Sequence, residues 1–126
     1  MTNQWQKLVD YKEKGLCCGC VLRVPSEFEY NGSWYAEAVT DLMLINLKTC
    51  SQFALIPITG YHAGDISIIL PVDALDGYCL TLDWLIENWN KWVYPDGNIN
   101  NVWVKEKMEA PDSLPDGSTP IRKAAK

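Results

Sequence analysis

Long apolar runs are absent from this 126-residue chain. No run approaches the roughly 20 residues that a membrane helix needs. Residues 1–7 also lack the charged and then apolar pattern of a secretory signal peptide. The two absences argue against a helical membrane protein and predict a cytoplasmic one that makes no membrane contact.

The sequence is also poor in catalytic motifs. It has one histidine, His62, and contains no Gly-rich phosphate loop, no His-Glu-x-x-His and no Gly-x-Ser-x-Gly. A single histidine between glycines on a turn is typical of a solvated loop. We therefore expect a non-enzymatic protein, and a small enzyme that pairs His62 with a cysteine nucleophile is an alternative.

Cysteine is present in an odd number, which is unsuited to a disulfide framework. The five cysteines are Cys17, Cys18, Cys20, Cys50 and Cys79. Residues 17–20 contain a Cys-x-x-Cys spacing, but a structural zinc site needs four ligands, and the other donors are scattered. We expect these thiols to be small buried apolar groups within a strand, with no metal and no cofactor. A metal protein that uses Cys17, Cys20, Cys50, Cys79 or His62 is an alternative.

The composition is that of an ordinary globular domain, with 48% hydrophobic and 21% charged residues. A chain of this length has room for one domain. We expect this domain to span residues 1–108. Residues 109–126 are rich in proline and cannot bury much apolar area, so we expect a flexible tail there.

The net charge of −5 is unevenly distributed, since three basic residues lie among the last five positions. An acidic body repels phosphate backbones and attracts cationic surfaces. The charge therefore disfavours nucleic acid as a ligand and favours a partner protein with a basic surface.

Short apolar runs bounded by turn residues predict most of the sheet. The predicted strands cover residues 17–24, 39–47, 53–59, 66–70 and 98–107. Pro25 should close the first of these, and Asn31-Gly32 marks a loop or hairpin tip within residues 26–35. Pro57 and Pro71 should lie at an edge, a bulge or a strand end.

One segment, residues 83–93, has the spacing of an amphipathic helix. We expect Asp83 to cap it and Leu85, Trp89 and Trp92 to pack it on the sheet. Because no helix separates the strands before it, antiparallel pairing is favoured. The predicted fold is α+β, with a mainly antiparallel sheet of five to six strands and this one principal helix.

An acidic and aromatic segment is the best candidate for a partner-binding site. Carboxylates steer the encounter with a basic protein, and aromatic side chains supply buried contact area. The candidate residues are Glu27, Glu29, Tyr30, Trp34, Tyr35, Glu37 and Asp41. A solvated loop is the alternative interpretation of this segment.

Three stretches carry a family resemblance: residues 21–25, residues 59–71, and the run from Trp84 to Pro95. The last one reads Trp-Leu-x-x-Asn-Trp-x-x-Trp-x-Tyr-Pro. With these stretches the chain resembles the bacterial immunity proteins of polymorphic toxin and contact-dependent inhibition systems, in immunity family forty-five.

The resemblance implies a stoichiometric inhibitor that binds a cognate toxin domain, and it transfers no catalytic residue. A general adaptor subunit would share the same composition and differ only in its partner. The activity of the toxin and the oligomeric state are left open by the sequence.

Overall fold

The computed structural model describes residues 4–30, 33–47, 52–60, 63–66, 68–77, 79–93, 97–108 and 111–119, with residues 26–30 and 33–38 described by their backbone alone. The strands are β1 (Gln6–Lys7), β2 (Gly15–Leu16), β3 (Val21–Tyr30), β4 (Ser33–Leu47), β5 (Gln52–Pro57), β6 (Ile68–Ile69), β7 (Leu75–Asp76), β8 (Cys79–Thr81) and β9 (Trp103–Lys105). The helix α1 (Leu82–Asn88) continues into a π-helical segment (Trp89–Val93), and 3₁₀ turns cover Leu8–Asp10, Val72–Ala74 and Ile99–Asn101.

Six strands form one antiparallel sheet in the order β1-β9-β3-β4-β5-β6. Its centre is the long hairpin of β3 and β4, in which Val21 lies opposite Met43 and Tyr30 opposite Ser33. The predicted α+β class, the antiparallel pairing and the strand number are confirmed. The strands predicted at residues 53–59 and 66–70 correspond to β5 and β6, which are antiparallel neighbours in the sheet.

The strand expected to end at Pro25 continues five residues further, to Tyr30. The pairing with β4 shifts by one residue between Pro25 and Ser26, which is a β-bulge. Proline is tolerated there because β9 pairs only with the first three residues of β3, so no neighbour on that side needs the missing N–H of Pro25. Of the two alternatives for residues 26–35, a loop or a hairpin tip, the antiparallel pairing of β3 and β4 up to Tyr30 and Ser33 agrees with the hairpin. Asn31 and Gly32 themselves lie outside the described residues.

The cysteine run lies in a turn and not in a strand, which corrects the prediction for residues 17–20. Gly19 has a positive φ of 96°, and the Cys20 N–H donates to the Cys17 carbonyl at 3.2 Å. A left-handed residue breaks the extended backbone, so β3 begins only at Val21. Upstream of the turn, β2 pairs with β8 and β8 with β7 in a second, three-stranded sheet.

The helix begins one residue earlier than expected, at Leu82. Thr81 is its N-cap and makes no side-chain capping bond, so Asp83 lies in the first turn and is not the cap. Leu85 and Trp89 are buried as predicted, whereas Trp92 is 37% exposed. The π-helical segment explains the difference, because i→i+5 bonding widens the turn and rotates later residues out of the 3.6-residue period.

The core fills the space between α1 and one face of the large sheet. It combines Leu85 and Trp89 with alternate residues of the central strands, such as Leu22, Leu44 and Leu55. Since side chains alternate along a strand, the residues between these point to the other face of the sheet. Two of the predicted prolines lie where expected, Pro57 as the last residue of β5 and Pro71 after β6.

Near the C-terminus, residues 111–119 contain a tight turn in which the Leu114 N–H donates to the Ser118 carbonyl at 2.8 Å. Every residue from 111 to 119 is exposed. A flexible tail over residues 109–126 stays a prediction.

Candidate protein-binding surface

The face of the large sheet that points away from α1, called here the outer face, carries a cluster of aromatic and basic side chains. On β9, Val104 is fully buried in the core, so its neighbours Trp103 and Lys105 lie on the outer face. Trp103 is 39% exposed although it is one of the largest side chains in the chain. The alternation of side chains along β9 therefore places both Trp103 and Lys105 on the outer face.

Arg23 lies at the centre of this cluster. Its Cα is paired with that of Trp103 on one side and with that of Asp41 on the other. The guanidinium donates from Nε to Asp41 Oδ1 at 2.7 Å and from Nη2 to Asp41 Oδ2 at 2.9 Å. This two-pronged geometry is the strong form of an arginine–carboxylate pair.

Asp41 holds Arg23 from a fixed position. Asp41 is only 4% exposed, and its backbone N–H donates to Thr59 Oγ1 at 3.1 Å. The hydrogen bond from Arg23 to this carboxylate raises the pKa of the guanidinium further above its ordinary value. Arg23 therefore stays charged, and 41% of its side chain remains accessible to a partner.

Two tryptophan rings extend the cluster on the β9 side of Arg23, opposite Asp41. The guanidinium carbon lies 4.3 Å from the centre of the Trp5 ring, and Lys105 Nζ lies 5.9 Å from the same centre. Lys7 Nζ is 5.9 Å from the centre of the Trp103 ring. Both distances for Trp5 fall within the range of cation–π attraction, so the rings and the cations hold one another in place.

Between the two tryptophans and the start of the β3–β4 hairpin lies an open groove of about 370 Å³. We call it the Trp–Arg groove; it is lined by Trp5, Arg23, Val24, Pro25, Val39, Asn101 and Trp103. Val39 is 44% exposed, so the groove has an accessible apolar rim. A groove with aromatic walls and a fixed cation can bind a protruding side chain of another protein.

Six of the seven predicted binding residues lie next to this groove on a hairpin arm, defined as residues 26–30 and 33–38. In the described part of the chain, β3 residues after Pro25 pair only with β4, and β5 pairs only with residues 42–47. The arm is thus a two-stranded ribbon. Its register places Glu27 opposite Ala36 and Glu29 opposite Trp34.

The other predicted residues follow the same ribbon, with Tyr35 opposite Phe28, Glu37 opposite Ser26 and Tyr30 opposite Ser33. Asp41 lies apart from them, within the sheet, where its carboxylate is paired with Arg23.

Sequence reasoning missed Trp5, Arg23 and Trp103. The first lies before the first predicted strand, and the other two lie in predicted strands that were read only for their apolar pattern. For Arg23 and Trp103 the signal that could have revealed them is the alternation itself, since each residue lies between two buried neighbours in an extended part of the chain.

A second cluster, of thiols, lies at the edge of the small sheet. Among the four described cysteines, Cys17 and Cys18 are exposed, Cys79 is half-buried and Cys20 is buried, so of these four Cys20 alone fits the expected buried apolar role. Cys50 and His62 lie outside the described residues. Burial raises the pKa of the Cys20 thiol to about 12. Among the described residues, no group of three or more His, Cys, Asp and Glu side chains is arranged to hold a metal ion.

Tyr11 closes one side of the cleft that contains these thiols. Its hydroxyl donates to Glu106 Oε1 at 3.2 Å. Burial, and then the charge and hydrogen bond of Glu106, raise the pKa of Tyr11 above its ordinary value, so the phenol stays protonated. Tyr11 therefore contributes an uncharged side chain to a cleft that charged residues, Glu106 among them, also line.

The fold and this surface define a small α+β protein that offers an exposed aromatic and basic groove beside a projecting hairpin. The family model described as Immunity protein 45 matches residues 8–104, which is more than three quarters of the chain. The chain belongs to this family, and the match supports a role in immunity. The resemblance inferred from the sequence is confirmed.

No curated protein and no solved structure matches the chain significantly. None of the helices in the described part of the chain combines the length and apolar character that a membrane crossing requires.

Proposed function

We propose that this protein binds a cognate bacterial toxin domain in a stoichiometric complex and thereby neutralises it, without catalysing a reaction. The toxin would belong to a polymorphic toxin or contact-dependent inhibition system, and binding would take place in the cytoplasm of the cell that carries it. Membership of the Immunity protein 45 family supports the immunity role. The observation that carries the binding mechanism is the exposed Trp–Arg groove.

Two properties of the groove favour a protein partner. Tryptophan and arginine are the residues most enriched among those that dominate binding energy at interfaces. Arg23 is also held in place by Asp41 before any partner arrives, so little side-chain entropy is lost when it is contacted. A partner side chain that enters the groove would contact both tryptophans and a fixed cation.

The hairpin arm adds the second half of the proposed surface. Glu27, Glu29 and Glu37 would steer a basic toxin surface towards the arm, and Tyr30, Trp34 and Tyr35 would supply contact area. Asp41 acts in this proposal as a positioning residue, because its carboxylate fixes Arg23. The arm and the groove adjoin at Pro25 and Val39, where the ribbon leaves the sheet.

The first test is recovery of the partner. The tagged full-length protein is used as bait in a lysate of cells that express the toxin region encoded beside it, and the purified pair is then titrated by calorimetry. We expect a complex of fixed stoichiometry and loss of the toxin's activity at that ratio. Recovery of a housekeeping complex in place of the toxin, or a toxin that stays active when saturated, would contradict the proposal.

The groove itself is tested by Trp103→Ala. Loss of an interface anchor of this kind should weaken binding by about 30-fold or more, which corresponds to about 2 kcal/mol. Trp92→Ala is the matched control, since Trp92 is almost equally exposed, at 37% against 39%, but belongs to the helix on the opposite side of the sheet.

Both variants are first compared with the parent by circular dichroism, so that a folding defect is not mistaken for a binding defect. Equal affinities for the Trp103 and Trp92 variants would remove the groove from the interface and leave the arm to be tested by itself.

A further inference from the structure

Two cysteines far apart in the sequence face each other at the edge of the small sheet. Cys17 Sγ and Cys79 Sγ lie 3.4 Å apart, and both residues are free thiols. Cys17 is exposed and Cys79 is half-buried, so reagents in solution can reach the pair. Cys18, the neighbour of Cys17 in the chain, is also exposed.

The strand register explains this proximity. Gly15 pairs with Thr81 and Leu16 with Leu80, so the next position along the ladder sets Cys17 opposite Cys79. The Leu82 N–H donates to the Lys14 carbonyl at 2.9 Å, which identifies a hydrogen-bonded position of the same ladder. Since such positions alternate with non-hydrogen-bonded ones, Cys17 and Cys79 occupy a non-hydrogen-bonded pair.

A pair of this kind suits a disulfide. The Cα atoms at a non-hydrogen-bonded position of an antiparallel ladder are about 4.5 Å apart, and disulfides span Cα separations of roughly 4.4–6.8 Å. The side chains at such positions also approach each other more closely than at hydrogen-bonded ones. The thiols therefore need only a small rotation to form a bond.

Accessibility distinguishes Cys17 and Cys79 from the buried thiol of Cys20. The Cys20 thiol is buried and its pKa is raised to about 12, so it stays protonated and unreactive near neutral pH. The hydrogen bond with Cys17 raises the pKa of Cys79, which is the effect expected when two thiols share a proton. Cys17, the more exposed member of the pair, is the sulfur that an oxidant meets first.

We propose that Cys17 and Cys79 form a reversible disulfide, which makes this edge of the small sheet a site of oxidative modification. The oxidant is a low-molecular-weight disulfide such as glutathione disulfide. The Cys17 thiolate attacks one of its sulfurs and releases one glutathione thiolate. The Cys79 thiolate then attacks the Cys17 sulfur, the Cys17–Cys79 bond forms, and the second glutathione leaves as its thiolate.

In this reaction each cysteine loses one proton, and the two electrons reduce glutathione disulfide to two glutathione molecules. The new bond ties the segment before β3 to the segment that leads directly into α1, since β8 ends at Thr81 and the helix begins at Leu82. It closes a loop of about 60 residues, and cross-links over long loops constrain the unfolded chain most.

The test uses the full-length protein, equilibrated with glutathione redox buffers of increasing oxidising strength. Remaining thiols are alkylated, and peptides are mapped by mass spectrometry without reduction. We expect a loss of two hydrogen atoms from the intact mass and a cross-linked peptide pair that contains Cys17 and Cys79. The oxidised protein should melt about 5 °C or more above the reduced protein.

Three serine variants serve as controls. Cys17→Ser and Cys79→Ser should each abolish the cross-linked peptide and the rise in melting temperature. Cys18→Ser replaces the equally exposed neighbour and should retain both. A Cys17–Cys18 linkage, a glutathione adduct as the end product, or the same rise in melting temperature in the Cys17 variant would overturn the proposal.

Discussion

At the scale of single residues, the ion pair of Arg23 with Asp41 contributes both to the stability of the fold and to the charge of the exposed groove. A buried carboxylate without a partner is costly, and Asp41 is almost fully buried. Arg23 compensates for this cost with two hydrogen bonds, while its own side chain remains 41% accessible. One residue thus satisfies a buried charge and presents a fixed cation at the groove.

Arg23→Ala should therefore lower the free energy of unfolding by about 1–2 kcal/mol, because it leaves the Asp41 carboxylate without its partner. The loss should be smaller than that for a fully buried ion pair, because the Arg23 side chain is partly exposed to solvent. Arg23→Lys should recover only part of the loss, since an ammonium group cannot make the two-pronged contact. Urea titration of the purified variants measures the effect.

Lys105→Ala is the control for this prediction. It removes another cation of the same cluster, one that lies over the Trp5 ring. We expect a change within about 0.5 kcal/mol. A loss as large as that of Arg23→Ala would mean that the cation–π contacts, and not the ion pair, stabilise this face.

At the scale of elements, the π-helical end of α1 determines which tryptophan is buried. Trp89 is 1% exposed and belongs to the core, whereas Trp92 stands outside it with its ring centre 6.0 Å from that of Trp84. A regular helix would have placed both on the apolar stripe. The wider turn that begins at Trp89 therefore changes the role of one aromatic residue from core packing to a surface pair.

This arrangement predicts very different costs for two similar substitutions. Trp89→Ala should lower the free energy of unfolding by about 3–5 kcal/mol, because it opens a large cavity in the core. Trp92→Ala should cost only about 1 kcal/mol, the value of its contact with the Trp84 ring and a partly exposed surface. Equilibrium unfolding in guanidinium chloride measures the free energy of unfolding of both variants. Equal losses of this free energy would show that the helix continues with a regular period.

At the scale of the whole molecule, the charge is segregated. The chain carries a net charge of −5, yet three cations, Lys7, Arg23 and Lys105, lie within 5.9 Å of the centres of the two tryptophan rings that line the Trp–Arg groove. The acidic residues of the hairpin arm begin just beyond it. A toxin surface complementary to this side of the molecule would therefore place basic groups against the arm and an acidic or aromatic group at the groove.

Reversal of Glu27, Glu29 and Glu37 to lysine changes the net charge from −5 to +1. We expect the association rate with the toxin to fall by about tenfold or more at low salt and to lose most of its salt dependence, because electrostatic steering acts on the encounter. Stopped-flow or surface-binding kinetics at several salt concentrations measure both quantities.

The matched control reverses three exposed acids elsewhere, Asp73, Glu87 and Asp112, and produces the same net charge. Equal slowing in both triple variants would show that net charge alone steers association. No slowing in either would rule out the arm as a steering surface.

The sequence by itself determined the fold class, the antiparallel sheet, the position of the helix and the family. Each of these depends on local patterns, since alternation, helical spacing and turn residues are properties of neighbouring positions in the chain. The continuation of β3 beyond Pro25 could not be predicted in this way. It depends on β9 covering only the first residues of β3, which is a relation between distant segments.

Only the tertiary structure decided which residues meet. Trp5, Arg23 and Trp103 come from three separate parts of the chain, and they form a groove because β9 inserts beside β3 in the sheet. Cys17 and Cys79 are opposite each other because of the register of β2 and β8, which the sequence spacing of the cysteines does not reveal. Local sequence patterns specify elements, whereas the binding surface and the thiol pair arise from strand order and register, which non-local packing sets.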